Sequence, residues 1–175
     1  MVAGAVLPAT FTFLYRRADV LLERLAGRGA AAGELTPQDV PDELVGTLTL
    51  PLEVNEEALR ARAAELEVER FALARYQEDP ALVNPDDQAL MGLLGRLREA
   101  LEDVYGQRFT FRGEQREQSG PLVSLRITGG IGGIVKGMVA QETIRGGATV
   151  DAEIDEVRAG GTFVGMQAPR IEDRR

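Results

Sequence analysis

Apolar positions recur along the first 106 residues at helical spacing and along the remainder at every second position. In the first helix expected, residues 8–26, Phe11, Leu14, Tyr15, Ala18, Leu21, Leu22 and Leu25 form one stripe. Arg16, Arg17, Glu23 and Arg24 face away from it. Gly27 and Gly29 are natural stops. A connector punctuated by Gly and Pro covers residues 28–54, and the alternation of Leu48, Leu50 and Leu52 within it allows a short extended piece. The second helix opens with Asn55 as N-cap and Glu56 and Glu57 at the positive end of the dipole, and runs to Tyr76. Leu59, Ala63, Leu66, Leu73 and the pair Val68/Phe71 give it one wide apolar face. The third is expected to start with Asn84 as N-cap and Pro85 at its first position, and to end at Gly106. Its stripe is Leu90, Leu93, Leu94, Leu97, Leu101, Val104 and Tyr105. The last two helices read as an antiparallel hairpin, and the first either completes a three-helix arrangement or packs on another chain.

From Gln107 the period is 2. Phe109 and Phe111, then Val123, Leu125 and Ile127, alternate with polar residues and read as strands. Three 14-residue units follow, 132–145, 146–159 and 160–173, each opening with Gly-Gly. Aligned, they place Ile134, Met138, Val150, Ile154, Val164 and Met166 on one face, which the alternation predicts to be buried. Gly-Gly supplies the freedom a tight reversal needs. Two architectures fit, a short β-solenoid and an antiparallel meander or sandwich. The likeness of the first and third units (GGxxxGMxA) favours the meander, in which alternate strands run the same way. In either, the last strand leaves an edge open to another chain. The fold class is therefore α+β, with a helical region over 1–106 and a β-repeat module over 107–175.

Composition narrows the chemistry. The chain has no Cys and no His, which removes thiolate nucleophiles, disulfides, the usual zinc ligands and imidazole acid–base catalysis. Residues 1–106 carry 10 basic and 19 acidic side chains and residues 107–175 carry 10 and 9, so neither part has the basic footprint that nucleic acid requires. Of the 20 basic residues only Lys136 is lysine, a bias that fits a GC-rich genome. The opening MVAGAVLPATFTFLY is uncharged but has no basic flank, is interrupted by Pro8 and is too short to span a bilayer. It is read as a helix entering a core, in a cytoplasmic protein, with peripheral membrane attachment through this helix as the weaker alternative.

No motif amounts to a catalytic, cofactor or metal signature. The stretch Thr128–Gly137, TGGIGGIVKG, has the glycines of a phosphate loop, but Lys136 precedes Gly137 within a strand pattern and no helix follows. Asp151, Glu153 and Asp155 lie on one strand face, without the glycine-bearing bend of a calcium loop. They read as a solvated face or as an acidic surface for an arginine-rich partner. Lys136 falls on the otherwise apolar face, where a desolvated lysine could act as a base and a strand-edge lysine would reach water. With three Tyr and no Trp, little is available to line a sugar cleft.

The stretch LREALEDVYGQRFTFRGEQ (Leu97–Gln115) with the GxxxGMxA units after it resembles a group of small uncharacterised proteins of GC-rich bacteria. These join an N-terminal helical part to Gly/Val-rich β repeats. The resemblance implies that architecture, no catalytic residue, and an adaptor's place in bacterial conflict or defence loci. The expectation is a non-enzymatic assembly or adaptor protein, a homo-oligomer or the partner of another protein, with Phe11, Leu14, Leu21, Asp151, Glu153 and Asp155 as association candidates. The alternative is a small-molecule-binding or enzymatic domain built on carboxylates and arginines, which requires a deep pocket of convergent polar groups.

Overall fold

The computed structural model describes residues 6–27, 35–139, 143–145 and 148–172. Gly29, Ala140, the Gly146-Gly147 pair of the second unit and the start of the uncharged N-terminal run lie outside them. Helix α1 spans Leu7–Leu25 with Pro8 in its first turn, where a missing N–H costs nothing. Helix α2 spans Glu56–Glu78, and the Asn55 side chain accepts from the amides of Glu57 (3.0 Å) and Ala58 (3.1 Å). Helix α3 spans Gln88–Tyr105, and Gly106 closes it in the left-handed region at φ 57°. It starts later than Asn84 and Pro85 suggest. Asp87 is the cap, its side chain accepting from Ala89 N (2.9 Å) and Leu90 N (3.1 Å), whereas the Asn84 side chain accepts from one amide, Asp86 N (2.9 Å), in a turn that contains Pro85. Two amides satisfied at Asp87 outweigh one at Asn84.

The three helices share one core. α1 packs on both α2 and α3 within the chain. Leu14, Leu21, Leu59, Leu66, Leu73, Leu90, Leu97 and Leu101 are buried there, each contributing about 2 kcal/mol by leaving water. Phe109 and Phe111 belong to the same core: Phe13 sets its ring edge-on to both, at centroid distances of 5.5 and 6.1 Å. The segment carrying them is not the strand that its alternation suggests. Strand β1 is only Gln107–Arg108, and Thr110 is buried along with both phenylalanines. The connector supplies its partners instead. Val45 N donates to Thr110 O (2.8 Å), Leu44 bridges to Phe111, and the Gln107 side-chain amide both donates to and accepts from the Thr49 backbone (2.8 Å each).

Helix α2 does not have the single wide apolar face expected of it. Leu59, Leu66 and Leu73 point into the core and are fully buried, while Val68 and Phe71 lie on the opposite side, 64% and 82% exposed.

The rest of the chain is a small strand module, which makes the fold α+β. Its strands are β2 (Gly120–Ile131), β3 (Ile134–Val139), β4 (Thr143–Arg145), β5 (Thr149–Val157), β6 (Thr162–Gln167) and β7 (Arg170–Glu172). β1 joins β2 antiparallel, but β2 pairs with β5, β3 with β6 and β4 with β7, all parallel. This departs from the antiparallel meander favoured by the repeat. Partners stand 26 to 28 residues apart (Leu122 with Thr149, Ile131 with Val157, Ile134 with Thr162, Thr143 with Arg170), close to twice the 14-residue period. The first and third units are alike because they lie side by side, with Met138 against Met166. The second unit carries β5, which pairs elsewhere.

The face predicted to be buried is not. Ile134 is 71% exposed, and Met138, Val150, Ile154, Val164 and Met166 are half-buried. β3 to β7 each have one neighbouring strand among the described residues, so a flank of every strand stays open. The well-buried apolar side chains of β2 are Leu122 and Ile131.

Candidate interaction surfaces

The six association candidates divide by helix and strand. Phe11, Leu14 and Leu21 are buried in the core, Phe11 stacked on Tyr15 (5.7 Å) and edge-on to Tyr76 (6.5 Å). Phe11, Leu14 and Leu21 are thus covered within the chain, where α1 packs on α2 and α3, while Leu25 at the end of the stripe is 38% exposed. Among the described residues no helix is long and apolar enough to cross a membrane.

Asp151, Glu153 and Asp155 are exposed on β5, as alternation requires of one strand face. Asp151 accepts from Arg108 Nη2 at 2.9 Å, and Arg108 also reaches Glu117 at 3.4 Å. Glu117 in turn accepts from the Thr149 hydroxyl at 2.7 Å. This chain of contacts fastens the start of β5 to β1 and to the loop before β2. Among the described residues no group of three carboxylates is placed to hold a metal ion.

Asp151 and Glu153 also wall an open cleft of about 900 Å³ between α2, α3 and the β2/β5 pair. Arg62, Glu102 and Asp103 stand across from them. Those three are tied within the chain. Arg62 donates to Asp103 and to Glu65 (2.7 Å), and both bonds hold its guanidinium more firmly protonated than usual. Glu102 is held by Arg116 and by the Phe109 amide. The cleft exists, but its polar walls converge on one another more than on a space between them.

Lys136 is exposed on β3, in register with Val164, and no helix follows the glycines before it. The glycines before Lys136 therefore lack the helix N-terminus on which a phosphate loop depends. A second, smaller hollow of about 360 Å³ lies beside the start of α1, lined by Thr12, Phe13, Arg16, Arg17 and Asp39. Two bonds donated by Thr36, from its hydroxyl and from its amide, keep the Asp39 carboxyl below its ordinary range.

Two kinds of surface have no cover among the described residues. One is the free strand edges of β3 to β7, around which Val157 (52% exposed) and Val139 (58%) remain in solvent. The other is the outer face of α2 around Phe71. The first was legible in the repeat; the second was hidden because Val68 and Phe71 follow helical spacing as well as the core leucines do. Counting the angle from Leu66, at 100° per residue, separates them. No protein-family model matches the sequence, and no curated protein or solved structure matches it.

Proposed function

We propose that this chain is a non-enzymatic assembly or adaptor protein, in which the helical core is the scaffold and the strand module the docking element. We read the module as a short β-solenoid of two coils, β2–β3–β4 below and β5–β6–β7 above. The observation that carries the reading is the second coil's free edge: three consecutive strands, each paired on one side only among the described residues. A free edge offers unpaired N–H and C=O groups to an extended segment of another chain, and β-strand addition is the binding mode it fits.

The charge of β5 defines what adds. β5 carries Asp151, Glu153, Asp155 and Glu156, with Asp151 on Arg108 and Glu156 on Arg158 (3.6 Å), so carboxylates outnumber the arginines beside them and a basic extended segment is favoured over a second acidic edge. The bacterial conflict setting implied by the resemblance suits such an adaptor. The test uses two synthetic eight-residue strand peptides, one alternating arginine with valine and one alternating glutamate with valine, titrated into the protein. The basic peptide is expected to bind at least about tenfold more tightly and to slow amide exchange in β5 and β6. Equal affinity, or no protection of either strand, would remove the reading.

A further inference from the structure

The outer face of α2 carries a pattern that matches itself. Phe71 stands at its centre, 82% exposed, with Ala64 and Val68 (64% exposed) beside it. Glu67 lies four residues before Phe71 and Arg75 four residues after, both exposed. At 100° per residue these side chains fall within about 60° of the Phe71 direction, so they form one stripe. Glu67 and Arg75 are each about 6 Å along the axis from Phe71, in opposite directions. Farther out, Glu78 lies on the same stripe past Arg75, and Arg60 lies on it before Ala64.

We infer that this stripe is the contact between two copies of the chain, packed with their α2 helices antiparallel about a two-fold axis beside Phe71. That axis sets Phe71 against Phe71 of the second copy and puts each Glu67 opposite the other copy's Arg75, so both charge pairs form at once. Ala64 falls opposite Glu78, within reach of Arg60. A parallel arrangement would oppose like charges. This is the self-complementary condition of an isologous interface, where one patch serves both partners. Burying Phe71 supplies the attraction, and the charges set direction and register. The core leucines of α2 face the other way and stay in place, while the Arg75 guanidinium, 4.5 Å from the Tyr76 ring centre, turns outward to meet the second copy. One helix face per copy is a small interface, and the dimer is weak, with a Kd on the order of 10–100 µM.

This inference rests on the assembly reading but uses a surface separate from the strand edge. Sedimentation of the full chain from about 1 to about 300 µM should show a monomer–dimer equilibrium. Phe71→Asp should abolish it without changing the helical circular dichroism. Glu67→Arg and Arg75→Glu should each weaken the dimer about tenfold, because each alone makes two like-charge contacts. Mixed together, the two single variants should associate again, since each new charge then meets its opposite on the other chain. A monomer throughout the range overturns the inference, as does a mixture that stays monomeric. If wild type is monomeric and binds a partner helix through Phe71, the face is not a homodimer contact. A dimer that persists in Phe71→Asp also overturns it while leaving the assembly reading intact. The strand-peptide titration, repeated on Phe71→Asp, reads the docking edge independently.

Discussion

Arg116 donates through one nitrogen to both carboxylate oxygens of Glu102, at 2.9 Å each, and pins the loop before β2 to helix α3. Glu102 is buried, and its Oε1 also accepts from the Phe109 amide at 2.7 Å. One carboxylate therefore orients the segment that delivers Phe109 to the core. Glu102→Ala leaves a buried amide and a half-buried guanidinium unpaired, at a cost of about 3 kcal/mol. Glu102→Gln keeps an oxygen for Phe109 and should lose less. Urea unfolding of both variants, compared by midpoint at constant slope, measures the difference.

The two sides of α2 should respond very differently to truncation. Leu66 is fully buried between the helices, so Leu66→Ala is expected to cost about 3 kcal/mol. Phe71→Ala, at a position mostly in solvent, should stay within about 0.5 kcal/mol in dilute monomer despite removing the larger side chain. Thermal melts at low micromolar concentration decide it. Equal losses would mean that Phe71 is part of the core.

These positions show what was legible in the sequence and what was not. Helix identity came through because α1 and α3 carry strong apolar stripes and α2 a clear start signal, Asn55, which caps it as its spacing indicates. At α3 two cap signals, Asn84 and Asp87, stand three residues apart, and local sequence does not rank them; the number of amides each reaches does. Strand direction was illegible for a different reason. A 14-residue repeat is equally compatible with adjacent strands antiparallel and with every second unit stacked in parallel, and only the register of Ile134 on Thr162 separates the two. Burial within the repeat is not legible, since alternation says which side chains share a face and nothing about whether anything covers it. For the candidate site, the exposed carboxylates of β5 followed from alternation, whereas Phe11, Leu14 and Leu21 depended on which neighbour α1 would find.

Asp87 makes stability depend on acid. Its carboxyl is kept below the ordinary value, first by the Tyr76 hydroxyl, which donates to it at 2.7 Å, and then by the two amides that it caps. Because the folded pKa lies below the unfolded one, this contribution is fully present above the unfolded value. It is lost as pH falls through the depressed folded value. Tyr76→Phe removes the largest cause and should flatten the fall in melting temperature below about pH 4. Melting temperatures of wild type and variant from neutral to strongly acid pH test the sign: parallel curves would mean that Asp87 gains nothing from Tyr76.

The tightest constraint in the repeat falls on glycines that align but do not share an environment. Gly133 and Gly161 hold the same place in the first and third units. A Cβ on Gly133 would meet nothing within 4 Å, while one on Gly161 would come within 2.0 Å of the Ile131 carbonyl oxygen. That oxygen accepts from Arg158 N at 3.0 Å, and the Gly161 amide donates to Arg158 O at 2.8 Å, so the clash falls on the turn between β5 and β6. Gly137 is restricted in a related way, since a Cβ there would lie 2.6 Å from the Gly165 carbonyl oxygen across the β3/β6 pair and 2.5 Å from Val150. Gly161→Ala and Gly137→Ala should therefore each cost about 2 kcal/mol through overpacking, and Gly133→Ala should be close to neutral. Amide exchange of β3 and β6 is the measurement, because helical signals report mainly on the other part of the chain. An antiparallel neighbour would not bring Gly165 to Gly137, so tolerance at both Gly137 and Gly161 would count against the parallel stacking itself.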